Sequence, residues 1–348
     1  MSKPEMLPET IHTEEQLIEV MTRPRPVLVD FMQTLHNPLV ILGAGGKMGP
    51  TLALLAQRAA QAAEIALDIV AVSRFSDPHG REFLESKGVR TISADLMERS
   101  VFASLPDTDN LLYLVGMKFG TTSNPQITWA TNTLIPAYTM ERYSQTHIAA
   151  FSTGNVYPLV PNNSQGAKEN DPLTPLGEYS NACVARERIF EYFSAKNSTP
   201  MTLLRLSYAL DLRYGVLVDI AQKVYRGESI DTGMSQLNCI WQGDANEMII
   251  RSLSLASTPP FMLNLVGSQH YRVRNIALRF GEWMGKEVSF VGVEGETALL
   301  SDNSRLRASL GEPPTPIELV MQWTANWVRS GGPLLGKPTH FEIRDGGY

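Results

Sequence analysis

Between Leu39 and Ala63 an apolar run, Leu39-Val40-Ile41-Leu42, passes into Gly43-Ala44-Gly45-Gly46-Lys47-Met48-Gly49 and then into a stretch rich in Ala and Leu. That order predicts a buried parallel strand, a tight turn and a helix over Pro50 to Ala63. Gly43, Gly45, Gly46 and Gly49 permit the turn, a close backbone approach to a ligand and close helix–strand packing. The helix start then aims free N–H groups and the positive end of its dipole at an anion. Pro50 suits the first turn, where the N–H it lacks has no partner to lose. With Lys47 and Met48 in the same turn, the pattern is that of a seat for a dinucleotide's pyrophosphate.

The alternation continues downstream. Strands are expected at 69–72, 89–93, 111–115, 148–152 and 202–206, with helices at 81–87, 127–144 and 178–194 between them. This specifies an α/β fold with a doubly wound parallel Rossmann sheet over residues 37–208. Beyond Tyr208 the pattern is mixed. Helices at 217–225, 245–255, 275–284 and 317–328, with short strands at 262–266 and 287–291, predict a smaller mixed lobe over 209–330. Residues 1–36 form an N-terminal helical extension packed outside the core. There Thr13 and Gln16 open a helix over Glu14–Met21 as a capping box, and a second short helix over 27–35 follows Pro24 and Pro26. Residues 331–348, glycine-rich and poor in apolar side chains, read as a tail without its own core.

The net charge of −6 gives no clustered basic face for nucleic acid. No apolar run is long enough to span a membrane, and Pro4, Glu5, Pro8 and Glu9 stand where a signal peptide would be apolar. A cytoplasmic protein is expected, with Cys183 and Cys239 reduced. The composition calls for no metal.

The end of the second strand bears on the choice of dinucleotide. NAD binders usually place an acidic residue there for the ribose 2′-OH; this chain has Ser73-Arg74. A guanidinium beside a hydroxyl suits a 2′-phosphate, with Lys47 adding charge nearby, so NADP(H) is favoured over NAD(H). Alternatively, Arg74 stacks on adenine or faces solvent. After strand three, Asp95, with Leu96 beside it, is placed either to meet the adenine amino group or to hold a turn.

On these residues the chain, over about 38–330, resembles the extended short-chain dehydrogenase/reductases of the NAD-dependent epimerase/dehydratase family. Gly43, Gly46 and Gly49 have that group's spacing, and Asn132 sits in the long helix after strand four. Trp241-Gln242-Gly243-Asp244-Ala245 and Leu263-Asn264-Leu265-Val266-Gly267 resemble later landmarks. The stretch Phe151 to Tyr157 resembles the family's strand-five motif, which makes Thr153 the expected catalytic hydroxyl. Tyr179, in Gly177-Glu178-Tyr179-Ser180, falls at the place of the catalytic tyrosine. The resemblance implies that this tyrosine exchanges a proton with a substrate hydroxyl while hydride moves to or from the nicotinamide. It also implies a lysine four residues on, holding the nicotinamide ribose and lowering the phenol's pKa. Here that position is Cys183, and a neutral thiol supplies no positive charge.

Two cations are candidates to replace it. Tyr179, Cys183 and Arg186 share a helix face, so Arg186 can serve the phenolate or the ribose, unless it pairs with Glu187 or Glu191. Lys118, just past strand four, can supply the missing ammonium or hold a substrate carboxylate, unless it is a solvated loop residue.

Nucleotide-sugar members of that family often carry an arginine before a Gly-Asp pair in the second lobe. The matching stretch, Val291 to Glu296, has acidic residues instead, which would repel a diphosphate. A small free polyol, sugar or sugar acid is therefore expected, read by Thr153, Asn155, Lys118, Arg213 and Tyr214, unless Arg213 and Tyr214 are engaged with Asp211 or Asp219. The tail around His340 to Asp345 either covers the crevice or is disordered. Two functions stay open: an NAD(P)-dependent oxidoreductase or epimerase, and a non-catalytic NADP(H)-binding regulator or scaffold. The long helices at 127–144 and 178–194 resemble those of the family's dimer interface, which implies a homodimer.

Overall fold

The computed structural model describes residues 7–118, 123–337 and 339–347. The expected features at Pro4 and Glu5, and the last two residues of the loop from Gly116 to Gly120, lie outside them. Seven strands form the central sheet: β1 Leu39–Leu42, β2 Ile69–Ser73, β3 Arg90–Ser93, β4 Asn110–Tyr113, β5 His147–Thr153, β6 Met201–Leu206 and β7 Phe261–Leu265. Their spatial order is β3-β2-β1-β4-β5-β6-β7, and every neighbouring pair is parallel. The expected doubly wound Rossmann sheet is present.

The helices are α1 Glu14–Met21, α2 Pro26–Met32, α3 Gly49–Ala62, α4 Pro78–Ser86, α5 Pro125–Arg142, α6 Gly177–Asn197, α7 Val216–Arg226, α8 Gln242–Arg251, α9 Val273–Met284, α10 Ser304–Leu310 and α11 Ile317–Arg329. Helices cover both faces of the sheet, which is why β1 and β4 are buried along their whole length and, after Asn110 at the start of β4, carry only apolar or aromatic side chains. Leu39 and Ile41 point to the side of α3 and α8, whereas Val40 and Leu42 point to the side of α5 and α6.

The chain winds outward from β1 in one direction and from β4 in the other. That reversal opens a crevice beyond the carboxyl ends of these strands.

One expected element moves. The strand foreseen near 262–266 belongs to the main sheet as β7, with Leu263 opposite Leu204 and Leu265 opposite Leu206. Helix α8 likewise returns to the first core, packing Ala245, Met248 and Ile249 with α3. A separate core gathers α7, α9 and α11, with Trp241 and Trp323 edge to face at 5.5 Å.

The N-terminal extension joins both cores. Leu17 and Met21 of α1 enter the second, while Leu28 and Met32 of α2 enter the first. Thr13 caps α1 by accepting from the Gln16 N–H at 3.2 Å.

The tail is docked on the body despite its composition. Phe341 is buried in the second core. Arg344 donates to the carbonyls of Gly233 and Thr297 at 2.8 and 2.7 Å. Of the two readings of this segment, the structure gives the covering one.

Candidate active site

The loops after β1, β4, β5 and β6 meet around a cleft of about 300 Å³. The turn after β1 forms one wall. Gly43 has φ +85°, a conformation that side-chain-bearing residues rarely adopt, and a Cβ there would stand 2.9 Å from the Val115 nitrogen. Gly49 lets α3 close on the turn, since its Cβ would lie 2.3 Å from the Ala44 carbonyl oxygen. Among the described residues no side chain caps the start of α3, so its first N–H groups can face an anion. A narrow turn, an uncapped helix start and a crevice beside them fit a dinucleotide. Gly46, Lys47, Met48 and Gly49 all line the cleft.

The residues expected toward the adenosine end occupy different surroundings. Ser73 lies under the turn, its Oγ 2.6 Å from where a Cβ on Gly45 would stand. Arg74 is exposed. The Asp95 carboxylate accepts the Met97 N–H at 3.0 Å, which is the turn alternative, and Leu96 is buried in the core.

Lys47 corrects the expectation that it would reinforce Arg74. Its ammonium donates to the Ala209 carbonyl at 3.2 Å and stands 3.8 Å from the centre of the Tyr214 ring. Ala209 follows β6, whereas Arg74 follows β2 on the opposite side of β1, so the side chain points the other way. Burial, opposed by Asp211 and aided by neighbouring Lys118, brings its pKa down to about 7.

Thr153, Asn155, Tyr179 and Lys118 come together in the cleft. β5 ends at Thr153, and Tyr179 comes from the first turn of α6. The Tyr179 phenol stands beside Thr153 and the Cys183 thiol, close enough for both to act on its ionisation. Thr153 Oγ1 donates to Asn155 Oδ1 at 3.1 Å and accepts the Asn155 N–H at 3.2 Å. Burial raises the phenol's pKa well above its ordinary value; Cys183 adds to this and Arg186 opposes it. Cys183 is wholly buried and its thiol is also pushed up by burial. Lys118 is lowered by burial to about 8.

Arg186 pairs with neither expected carboxylate. Glu187 is taken by Arg205 at 2.7 Å and Glu191 by Arg188 at 2.7 Å. Arg186 is buried behind the site, where Nη1 donates to Asn132 Oδ1 at 3.0 Å and to the Val115 carbonyl at 3.2 Å. It thereby ties α6 to α5 and to the loop that carries Lys118, close enough to act on Tyr179 through its charge.

Arg213 is held away from the cleft by Asp211 at 2.8 Å and Glu14 at 3.3 Å, which is the paired alternative. Tyr214 lines the cleft with Lys47 over its face, so the two neighbouring residues separate.

The sequence reading missed two features. Thr339 of the tail lines the cleft, and its N–H donates to Asp219 at 2.7 Å. Nothing periodic marks Thr339, so no pattern could have found it. Beneath the floor runs a buried chain in which Glu187 accepts from the Ser152 hydroxyl and from Arg205, and Arg205 donates to the Tyr157 hydroxyl at 2.7 Å. Glu187 was foreseen only as a surface partner, because a charged residue inside a helix carries no sign that it is buried.

Comparison with known proteins agrees with this geometry. Among solved structures, the UDP-glucuronic acid 4-epimerase of Bacillus cereus in complex with NAD superposes with a TM-score of 0.70 at 15% identity, over 84% of this chain and 98% of that one. UDP-glucose 4-epimerase of Thermotoga maritima gives 0.68 at 16%, over 84% and 99%. An epimerase from Methanothermobacter thermautotrophicus gives 0.72 at 15%, over 87% and 95%. These likenesses establish the fold. No curated protein matches the sequence. Residues 39–210, from the first strand through the segment after β6, match the model of the NAD dependent epimerase/dehydratase family.

Proposed function

We propose that this protein is an NAD(P)-dependent oxidoreductase or epimerase acting on a small carbohydrate-like or sugar-acid substrate that is not linked to a nucleotide. The observation that carries the reading is that Thr153 and Tyr179 line one cleft together with the glycine turn. Gly43, Gly45, Gly46, Met48 and Gly49 would hold the dinucleotide, with Ser73 and exposed Arg74 toward the ribose 2′ position, which favours NADP(H). When bound, the nicotinamide supplies the hydride acceptor or donor. Thr153 orients the substrate hydroxyl, and Tyr179 takes its proton or returns it. Arg186 acts on the phenol from behind as a positioning residue, and Lys118 carries charge into the cleft.

A small substrate is supported by the tail, whose residues Ile343, Arg344 and Gly346 stand with Asn155 and Tyr208 around a second, narrower recess beside the first. Glu294, in the stretch without an arginine, is paired with Arg274 at 2.6 Å. Exposed Ile127, Leu134 and Tyr192 on α5 and α6 favour a homodimer, and the reduced cysteines favour a cytoplasmic setting.

A second reading, a non-catalytic nucleotide-binding regulator, is favoured by the buried thiol at position 183 and the raised phenol. The two separate in a turnover assay. Purified protein is incubated with NAD⁺ or NADP⁺ and a panel of neutral hexoses, polyols and uronic acids, and followed by proton NMR and nicotinamide absorbance. The enzyme reading expects an epimer or a reduced nicotinamide from at least one substrate. Dinucleotide binding without turnover of any panel member selects the regulator.

A further inference from the structure

We propose that residues 339–347 form a fixed strap along one side of the cleft, and that this strap restricts the site to an unlinked sugar: a sugar carrying a nucleoside diphosphate enters only when the strap is lifted. The inference rests on the reading of the cleft as a dinucleotide-dependent carbohydrate site and states what sets the length of its substrate.

The cleft continues beyond Thr153 and Tyr179 into the narrower recess, since Asn155, Tyr208 and Leu299 line both. The tail supplies Thr339 to the wall of the cleft and Ile343, Arg344 and Gly346 to the wall of the recess. The recess has a volume of about 30 Å³, room for a water or two. A nucleoside diphosphate is far larger, so a ligand that extends from the cleft by this route meets the tail.

Unlike contacts anchor the strap on the second lobe. Thr339 is buried and gives both its N–H and its hydroxyl to Asp219 of α7, at 2.7 and 2.5 Å. Phe341 is packed in the second core, and Lys223 of α7 meets Glu342 at 3.2 Å. The Arg344 guanidinium donates to the Gly233 and Thr297 carbonyls and, at 2.6 Å, to the Thr297 hydroxyl. Burial of an aromatic ring and charge-assisted hydrogen bonds together offset the entropy lost in ordering a glycine-rich chain.

The far end of the strap crosses to the first domain. Gly346, at φ +79°, lies against Gly177, at φ +80°, which opens α6 two residues before Tyr179. A Cβ on Gly346 would stand 2.2 Å from the Leu176 carbonyl oxygen, and one on Gly177 would stand 2.2 Å from the Gly346 carbonyl oxygen. Glycine alone permits so close a backbone approach, and both residues hold a conformation that side-chain-bearing residues rarely adopt. The strap therefore runs from the second lobe to the helix that carries Tyr179, with the recess beneath it.

The test compares full-length wild type with Gly346→Val and Arg344→Ala. Valine at 346 collides with the Leu176 carbonyl, whereas alanine at 344 removes the guanidinium bonds. Neither residue lines the part of the cleft that holds the glycine turn, so NADH affinity reports whether the fold is intact. Each protein, saturated with NADH, is titrated calorimetrically with UDP-glucuronic acid and with D-glucuronate, and hydrogen exchange of 339–347 is followed in parallel. Wild type is expected to protect its tail amides from exchange. Both variants are expected to keep NADH affinity, to exchange faster across the tail and to gain about tenfold or more in affinity for UDP-glucuronic acid, with a much smaller change for D-glucuronate, as removal of a steric block against one ligand requires.

Wild type that binds UDP-glucuronic acid as tightly as the variants do, with its tail still protected, overturns the proposal, because ligand and strap then coexist. So does the absence of any gain in a variant whose tail exchanges freely. Rapid exchange of the tail in wild type overturns it too, since a loose tail excludes nothing, and unchanged protection in both variants does so because Gly346 and Arg344 then do not hold the strap. Failure of wild type to bind NADH at all is a different result, and it removes the underlying reading instead.

Discussion

Tyr179→Phe is expected to lower turnover by about 10²–10⁴-fold while leaving dinucleotide affinity and folding in place, since proton transfer by a positioned side chain contributes on that scale. The substitution removes only the phenol oxygen beside Thr153 and Cys183, and the ring keeps its packing with Val156, Tyr157 and Cys183. The pH profile carries the same information. Burial, aided by the thiol, holds the phenol well above its ordinary value. In the direction that oxidises a substrate hydroxyl, the rate should therefore climb with pH through the whole accessible range and reach no plateau near neutrality. Loss of that slope in Tyr179→Phe assigns it to this group. A variant that turns over as fast as wild type excludes Tyr179 as the proton-transfer group.

The second large effect is on stability. Glu187 and Arg205 are an almost fully inaccessible ion pair, at 0% and 3% side-chain exposure. Each has further bonds, Glu187 to the Ser152 hydroxyl and Arg205 to the Tyr157 hydroxyl and the Glu169 carbonyl. Removing one partner strands the other charge, so Glu187→Ala should cost about 3–5 kcal/mol, read as a lowered urea midpoint. Replacing both together, Glu187→Leu with Arg205→Met, should recover most of it, because a well-packed apolar pair needs no counter-charge. A loss below about 1 kcal/mol in Glu187→Ala, the range of an exposed pair, would mean that water reaches the network. Since Ser152 adjoins Thr153, the single variant should also blur substrate selectivity before it unfolds.

Much of the fold was legible because its signals are local. The run Leu39–Leu42, the glycines after it and the periodic helices that follow each announce themselves within a few residues, and they recur as β1, the turn and α3. The segment at 261–265 was placed in the wrong body because a short apolar strand reads the same wherever it pairs, and its partner β6 lies more than fifty residues upstream.

At the site, sequence named Thr153, Asn155, Tyr179, Lys118 and Tyr214, and the cleft brings them together. Side-chain direction was not legible. Lys47 and Arg74 seemed one cationic patch because both follow sheet strands, yet Lys47 turns toward Ala209. Arg213 and Tyr214 are neighbours in sequence and point apart, because Asp211 captures the guanidinium. The tail was unreadable for a related reason. It is held by single side chains, Thr339, Phe341 and Arg344, each bonded or packed to a distant part of the chain.

The central claim is that the amides at the start of α3 receive a dinucleotide. Its most direct test is titration of the purified protein with NADH and with NADPH, followed by nicotinamide fluorescence. Saturable binding of one dinucleotide per chain is predicted, with NADPH the tighter ligand and its advantage lost in Arg74→Ala. No measurable binding of either nucleotide would contradict the account at its foundation.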